Sequence, residues 1–232
     1  MTYQEIYQQL EALGTAQNRK IYQRHGAGNK LFGVSFGNLR KLKKKVISLD
    51  GKKGINHALA QQLWKTQNID AQTFAAMIAD PQQISETELD TWVQDIHYYA
   101  LANEFTKVAG NSSFAQKKME AWTRSEEEFV RLVGYGILNL MAREDETLSD
   151  EFFEPYIQKM EKELQPSPNR AKEGMNNCLI AIGARNKVLR GRVLEAAKKI
   201  GKVEIDHGDT SCKTFIIEEY LDKIYERKAR KL

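Results

Sequence analysis

The chain has 232 residues and a mass of 26.6 kDa, enough for one domain with a sizeable core. Hydrophobic residues make up 41% and charged residues 28%, which excludes a disordered chain, and no apolar run approaches the roughly 18 residues of a membrane-spanning helix. The net charge of +4 is uneven, because residues 1–50 and 166–232 each carry six excess positive charges while 51–165 carry eight excess negative charges.

The N-terminal quarter predicts three helices separated by loops that contain glycine. Apolar residues recur at helical spacing in each of them, and few prolines interrupt the pattern. Ser35 stands where the N-cap of the third helix is expected. The loop Asp50–Gly54 follows. The predicted spans are 2–13, 16–24 and 36–48.

The third helix is expected to be basic on its outer face. Its apolar residues, Leu39, Leu42, Val46 and Ile47, are predicted to point inward. Cations four residues apart repel one another on an isolated helix, and a bound polyanion would relieve that repulsion. The outer cations are Arg40, Lys41, Lys43, Lys44 and Lys45. A second basic cluster comprises Arg185, Lys187, Arg190, Arg192, Lys198, Lys199 and Lys202.

From residue 56 onward the chain predicts helices with short breaks and no strand pattern. Asp80-Pro81 is a stop signal, and Ser85-x-x-Glu88 and Ser125-x-x-Glu128 have the spacing of capping boxes. The predicted spans are 56–66, 70–79, 86–95, 97–109, 113–123, 126–142, 150–163, 168–184, 187–200 and 214–228.

The tryptophans indicate an internal repeat. Trp64, Trp92 and Trp122 lie 28 and 30 residues apart, and each precedes a break and then a helix rich in small and aromatic residues. This spacing favours an all-α, HEAT-like α-solenoid, a superhelix of antiparallel helix pairs, although the period is shorter than the usual length of about 40 residues. A compact helical bundle is the alternative. We predict a single domain over 1–232, with a basic C-terminal tail from about residue 223.

The sequence contains no P-loop, no dinucleotide-binding glycine pattern and no HExxH. Cys178 is expected in the core, and His97 beside two tyrosines is expected to be structural. His207 and Cys212 share a loop but lack the third ligand of a metal site. We therefore expect no cofactor and no metal.

The cysteines and the first residues indicate a compartment. Two cysteines do not make a disulfide framework and are typical of a reducing environment. The start MTYQEIYQQLEALG is polar and amphipathic, unlike a secretory signal. We expect a cytoplasmic protein, monomeric and without a membrane partner.

Several segments, taken in order, resemble one known family. Tyr22 followed by HGAGNKLFGVSFGNLRKLKK is similar to the N-terminal signature of the AlkD-like DNA alkylation repair family. AWTRSEEEFVRLVGYGILNL, MNNCLIAIGARN and GKVEIDHGDTSCK are similar to its later parts, and the resemblance covers roughly residues 5–215. It implies a helical solenoid that holds double-stranded, alkylated DNA in a basic concave groove. It also implies a DNA glycosylase, a hydrolase that releases N3- and N7-alkylated purines.

The resemblance also assigns residues, position by position. It places Tyr22 in the groove, Tyr99 and Asn103 at the family's catalytic tryptophan and aspartate, and Arg131 at a phosphate contact. Asn176 falls on a second groove tryptophan. The predicted catalytic residues are thus Tyr99, Asn103 and Arg131, and the predicted DNA-binding residues are Tyr22, Arg40, Lys41, Lys44, Asn176, Arg185, Lys187 and Arg190.

Two of these positions depart from the family pattern. Asn103 is neutral, so it offers no full charge to the cation that develops on the deoxyribose. Asn176 lacks an aromatic face, whereas Tyr99 keeps one. Two versions of the function stay open: an alkylpurine N-glycosylase, or a DNA-binding relative without base excision. The alternative is a non-catalytic helical-repeat module that binds DNA, RNA or a protein partner.

Overall fold

The computed structural model describes residues 1–47 and 51–230, and this part of the chain contains thirteen helices and no strand. None of these helices is long and apolar enough to cross a membrane. The helices are α1 (Tyr3–Leu13), α2 (Ala16–Arg24), α3 (Phe36–Lys43), α4 (His57–Trp64), α5 (Ile69–Ile78), α6 (Glu86–Gln94), α7 (Tyr99–Gly110), α8 (Ala115–Trp122), α9 (Glu128–Glu144), α10 (Asp150–Glu163), α11 (Asn169–Gly183), α12 (Lys187–Ile200) and α13 (Ile217–Ala229).

The chain divides into two compact units. The first consists of residues 1–115 with 208–210, and the second consists of the rest from residue 116. In the first unit α5 packs against α4 and α7, and in the second unit α11 packs against α9 and α12. Each unit buries its own core, with Phe74 and Phe105 fully covered in the first and Tyr135 and Phe153 in the second.

The predicted all-α helical-repeat fold is confirmed. Trp64 and Trp92 stack in the first unit with their ring centroids 4.3 Å apart and their planes 4° from parallel. The indole nitrogen of Trp64 donates a 2.8 Å hydrogen bond to Asp95. The tryptophans whose spacing predicts the repeat, Trp64 and Trp92, therefore form a contact between successive repeats.

The helix α3 is shorter than predicted. It ends at Lys43, because the chain turns there and the amides of Lys45 and Val46 bond to the carbonyls of Leu42 and Lys43. Val46 is buried as expected, but Ile47 is 52% exposed, so its predicted inward position is wrong. Ser48 and Asp50 of the predicted helix and loop, and Lys231 of the predicted tail, lie outside the described residues.

Two of the three predicted caps are present. Ser35 caps α3, and Ser85 forms a complete capping box with Glu88 at the start of α6. The box predicted at Ser125 is wrong, because its hydroxyl accepts from the amide of Glu127 while Glu128 accepts from the amide of Arg170. The carboxylate of Glu128 thus binds the amide of Arg170, which is distant in sequence, and not the N-cap amide that the local pattern predicts.

Candidate nucleic-acid interface

An aromatic cluster in the first unit contains two of the predicted site residues. The ring of Tyr22 lies 6.1 Å from that of Tyr98, which meets Tyr99 edge to face at 5.1 Å. The imidazole of His25 lies 5.5 Å from the ring of Tyr99. Tyr98 is buried, whereas the other three are partly exposed. The cluster therefore exposes part of its ring surface to solvent, while the buried ring of Tyr98 anchors it in the unit.

A buried carboxylate fixes the loop beneath this cluster. Asp70, 2% exposed, accepts hydrogen bonds from the amides of Phe32, Gly33 and Val34 at 2.6, 2.9 and 2.8 Å. Gly33 has a φ of 79°, and a Cβ there would lie 2.6 Å from the amide nitrogen of Arg19, so glycine is required. Burial raises the pKa of Asp70, an effect that the amide hydrogen bonds partly oppose.

Val34 in turn holds the first ring of the cluster. The phenol of Tyr22 donates a 2.8 Å hydrogen bond to the carbonyl oxygen of Val34. Burial raises the pKa of this phenol, and the nearby charge of Asp70 raises it further. The ring of Tyr22 is therefore available for contacts, but its hydroxyl is already engaged.

Helix α7 carries a stripe of three side chains four residues apart. Tyr99, Asn103 and Lys107 follow one another at this spacing, so they share one face of the helix. Asn103 and Lys107 are exposed. Glu104 points elsewhere: it is 9% exposed, and its carboxylate accepts a 2.7 Å hydrogen bond from Lys107. The nearest carboxylate in sequence is thus not on the face that carries Asn103.

The predicted cations of the first unit divide into two groups. Arg40, Lys41 and Lys44 are exposed, as predicted for a nucleic-acid contact. Lys43 is not an outer cation, contrary to the sequence prediction, because it is half-buried and donates a 2.6 Å hydrogen bond to the carbonyl of Met77. Burial lowers its pKa. The outward charge of this region is therefore smaller than the sequence indicates.

Arg131, the third predicted catalytic residue, lies in the second unit and is 9% exposed. Its guanidinium donates to the hydroxyl of Ser167 at 3.2 Å and pairs with Glu163 at 3.5 Å. Its Nε atom is buried and makes no hydrogen bond to a described residue. This geometry supports a role in positioning α9 against α10 and α11.

Two of the three arginines of the predicted second basic cluster, Arg185 and Arg190, are engaged within their own unit. Arg185 donates to the carbonyls of Ala142, Asp145 and Leu148 at 2.8–2.9 Å and stacks over Phe153. Arg190 pairs with Asp222 and lies 4.9 Å from the ring of Tyr225. Lys187 is exposed. Of Arg185, Arg190 and Lys187, only the lysine presents its charge outward without a partner among the described residues.

Asn176 lies under a segment without helix or strand, residues 201–216, of which 201–207 and 211–216 belong to the second unit. It is 1% exposed, and its amide nitrogen donates a 2.9 Å hydrogen bond to the carbonyl of Phe215. Gln165 binds the carbonyls of Ile200 and Lys202, and Asn169 binds both main-chain groups of Asp206. Three amide side chains thus hold the main chain of a segment that pairs with no strand in the described structure.

The structure brings together only some of the predicted residues. The first unit holds Tyr22, Tyr99, Asn103, Arg40, Lys41 and Lys44, and the second holds Arg131, Asn176, Arg185, Lys187 and Arg190. Sequence reasoning missed Lys107, although its spacing from Asn103 pointed to it, and missed His25 and Asp70, whose partners are distant in sequence. No group of three metal-ligating side chains occurs among the described residues.

The sequence model of one protein family, described as DNA alkylation repair enzyme, matches residues 6–214. A Listeria innocua protein, Lin0241, is 26% identical over 235 residues, covering 98% of this chain and 99% of that protein. Lmo0209 of Listeria monocytogenes is 26% identical over 238 residues, with the same coverage.

One solved structure is similar over nearly the full length. It is described as belonging to a new family of proteins related to the HEAT-like repeat DNA glycosylases, with affinity for branched DNA structures. The TM-score is 0.86 at 28% identity, covering 98% of this chain and 95% of that chain.

Proposed function

Because the chain belongs to the DNA alkylation repair family, we propose that it binds DNA, prefers branched over linear duplexes, and releases alkylated purines weakly or not at all. The affinity of the structural relative for branched DNA supports the first two parts. The side chains on α7 support the third.

The neutral side chain of Asn103 carries the proposal. Loss of an alkylated purine leaves positive charge on the deoxyribose, and a carboxylate stabilises that charge. An amide of the same shape provides only a dipole, which forfeits a few kcal/mol, about 10²-fold or more in rate. Glu104 does not replace the missing charge, since it is buried and bound to Lys107.

Other groups of the first unit suit binding. The partly exposed rings of Tyr22 and Tyr99 offer surfaces on which unpaired bases stack. Arg40, Lys41 and Lys44, exposed on and just after α3, supply charge for phosphates, whereas the charge of Lys107 is paired with Glu104. A branch point exposes both unstacked bases and closely spaced phosphates, so rings and cations are both used there.

An excision assay tests the catalytic part. Wild type and Asn103→Asp are incubated with methylated duplex DNA, and released purines are quantified. We expect little release by wild type and a gain of about 10²-fold by Asn103→Asp. Asn18→Asp, in the first turn of α2, adds the same charge elsewhere and should gain nothing. Efficient release by wild type would contradict the proposal.

A binding assay tests the recognition part. Affinities for a linear duplex, a three-way junction and a four-way junction are measured at several salt concentrations. We expect junctions to bind more tightly, and the triple variant Arg40→Ala, Lys41→Ala, Lys44→Ala to weaken all three and flatten the salt dependence. Lys162→Ala, exposed on α10, is the single-charge control. Absence of DNA binding at low salt would instead favour an RNA or protein partner.

A further inference from the structure

A cavity of about 360 Å³ lies in the first unit beside the aromatic cluster, between the loops that precede α3, α5 and α7. Its size is at the lower end of the roughly 300–1,000 Å³ range of small-ligand pockets. Most of the side chains in its wall are polar, namely Asn29, Lys30, Gln67, Gln72, Gln94, Asp95 and His97. Neither the family resemblance nor the proposed DNA contacts use this cavity.

Gln72 is the unusual member of the wall. It is 1% exposed, and its side-chain oxygen is buried without a hydrogen bond to any described residue. Buried polar atoms are nearly always hydrogen-bonded, so an unpaired one in a cavity wall points to a missing ligand. The oxygen meets a ligand in the cavity only after rotation about the terminal torsion, which in glutamine has two broad minima.

The other polar groups restrict the ligand further. Asn29 uses its oxygen to accept a 3.0 Å hydrogen bond from Gln23, which leaves its amide hydrogens as donors. Asp95 accepts from Trp64 with one oxygen, and His97 contacts the carbonyl of Asp95 at 2.9 Å with Nδ1. The wall has two charged side chains of opposite sign, Lys30 and Asp95, and four amide side chains, a composition that disfavours both ions and apolar molecules. It suits a neutral, flat molecule with donors and acceptors.

We propose that this cavity binds a single unpaired adenine at a branch point of DNA, with the carboxamide of Gln72 pairing with the base. The oxygen of a glutamine accepts from the adenine amino group while its nitrogen donates to N7. This site rests on the proposed function, because the DNA delivers the base. His97 in the cavity wall directly precedes the aromatic pair Tyr98–Tyr99, so the cavity adjoins the aromatic cluster along the chain.

The energetic cost favours a branch point over an intact duplex as the source of the base. Extruding a paired base requires breaking its pair and its stacking, whereas a base already unpaired requires much less. A cavity that takes only unpaired bases therefore distinguishes branched or bulged DNA from linear DNA. This selectivity differs from that of the cations, which act on phosphates of any sequence.

The test uses four three-way junctions that differ only in one unpaired nucleotide at the branch: dA, dC, dG or dT. Fluorescence anisotropy gives each affinity for wild type, Gln72→Met and the control Gln116→Met, which is exposed on α8. We expect wild type and control to bind the dA junction roughly 5- to 100-fold more tightly than the dT junction. Gln72→Met should bind all four equally and keep its affinity for a fully paired duplex.

The outcomes separate this site from the proposed function. Equal wild-type affinities for the four junctions, a preference for another nucleotide, or retention of the dA preference by Gln72→Met overturns the adenine site and leaves branched-DNA binding standing. Failure to bind any junction contradicts the proposed function. In that case adenosine alone is titrated into ¹⁵N-labelled protein. Movement of the Gln72 side-chain amide signals, identified by their absence in Gln72→Met, supports the cavity, and no movement overturns it.

Folding of the variant is checked by thermal unfolding. Methionine has nearly the length of glutamine and removes a buried oxygen that makes no hydrogen bond, so the midpoint should not fall. A large drop would mean that the carboxamide supports the fold, and the adenosine titration of wild type then decides the proposal alone.

Discussion

The phenol of Tyr22 donates a 2.8 Å hydrogen bond to the carbonyl oxygen of Val34. The residue that the sequence predicts in the DNA groove therefore also stabilises the loop that contains Val34. The two roles use different atoms of one side chain. The hydroxyl holds the loop, and the ring faces its aromatic neighbours.

Tyr22→Phe separates these roles. We expect it to lower the free energy of unfolding by about 0.5–1.5 kcal/mol, the net value of one hydrogen bond, and to leave DNA affinity nearly unchanged. Tyr22→Ala should lower both. Denaturant unfolding and junction binding measure the two effects. If Tyr22→Phe weakened binding as much as Tyr22→Ala, the hydroxyl itself would contact DNA.

Asp70→Asn tests the buried carboxylate beneath the loop. The amide nitrogen of asparagine would face one of the three backbone donors that Asp70 now accepts. We expect a loss of about 1–3 kcal/mol in the free energy of unfolding, the cost of a buried unsatisfied group. Asp90→Asn, on the exposed side of α6, should change it little. Equal effects of the two variants would show that the three hydrogen bonds contribute no net stability.

Lys43 predicts a pH dependence with a definite sign. Burial lowers its folded-state pKa below the ordinary 10.5, so between the two values the unfolded chain holds more protons than the folded chain. The free energy of unfolding therefore rises with pH across this window. The advantage of wild type over Lys43→Met should grow as pH approaches 10.5. Lys44→Met controls for the loss of one charge, and an advantage that shrinks with pH would contradict the assignment.

Arg131→Met tests whether this arginine supports the fold or contacts phosphate. Its guanidinium bonds to Ser167 and Glu163 and is almost covered. We expect a loss of about 1–3 kcal/mol in the free energy of unfolding and only a small loss of DNA affinity in the folded protein. Arg40→Met should give the reverse pattern. A large loss of DNA affinity with an unchanged free energy of unfolding would show that Arg131 contacts DNA.

The helices were predictable because their signals are local. Caps such as Ser35 and Ser85, and apolar residues at helical spacing, lie within the segment they define, and most predicted ends fall within three residues of the observed ones. Local signals failed at Ser125, where a distant amide binds Glu128, and at Ile47, where the chain turns after Lys43. In both cases a contact that the pattern does not contain decides the structure.

The site was predictable only in part, for a related reason. Tyr99 and Asn103 are four residues apart within one predicted helix, so the sequence alone predicts that they share a face. The sequence does not distinguish an arginine that binds phosphate from an arginine that binds main-chain carbonyls. Arg185 binds one carbonyl in the last turn of α9 and two carbonyls of the connection between α9 and α10, and only the fold distinguishes that role from DNA contact. Charge counting therefore overstates the surface available to a polyanion.

The amide side chains beneath residues 201–216 bear on how this protein can be altered. Gln165, Asn169 and Asn176 bind main-chain atoms, so these contacts do not depend on which side chains the exposed positions of the segment carry. Gly201 and Gly208 have a positive φ and should be kept. Exposed positions such as Lys202, Glu204 and Lys213 can be randomised while the support underneath stays in place. The segment is thus a natural display site, on which new recognition sequences can be selected without redesigning the helices below.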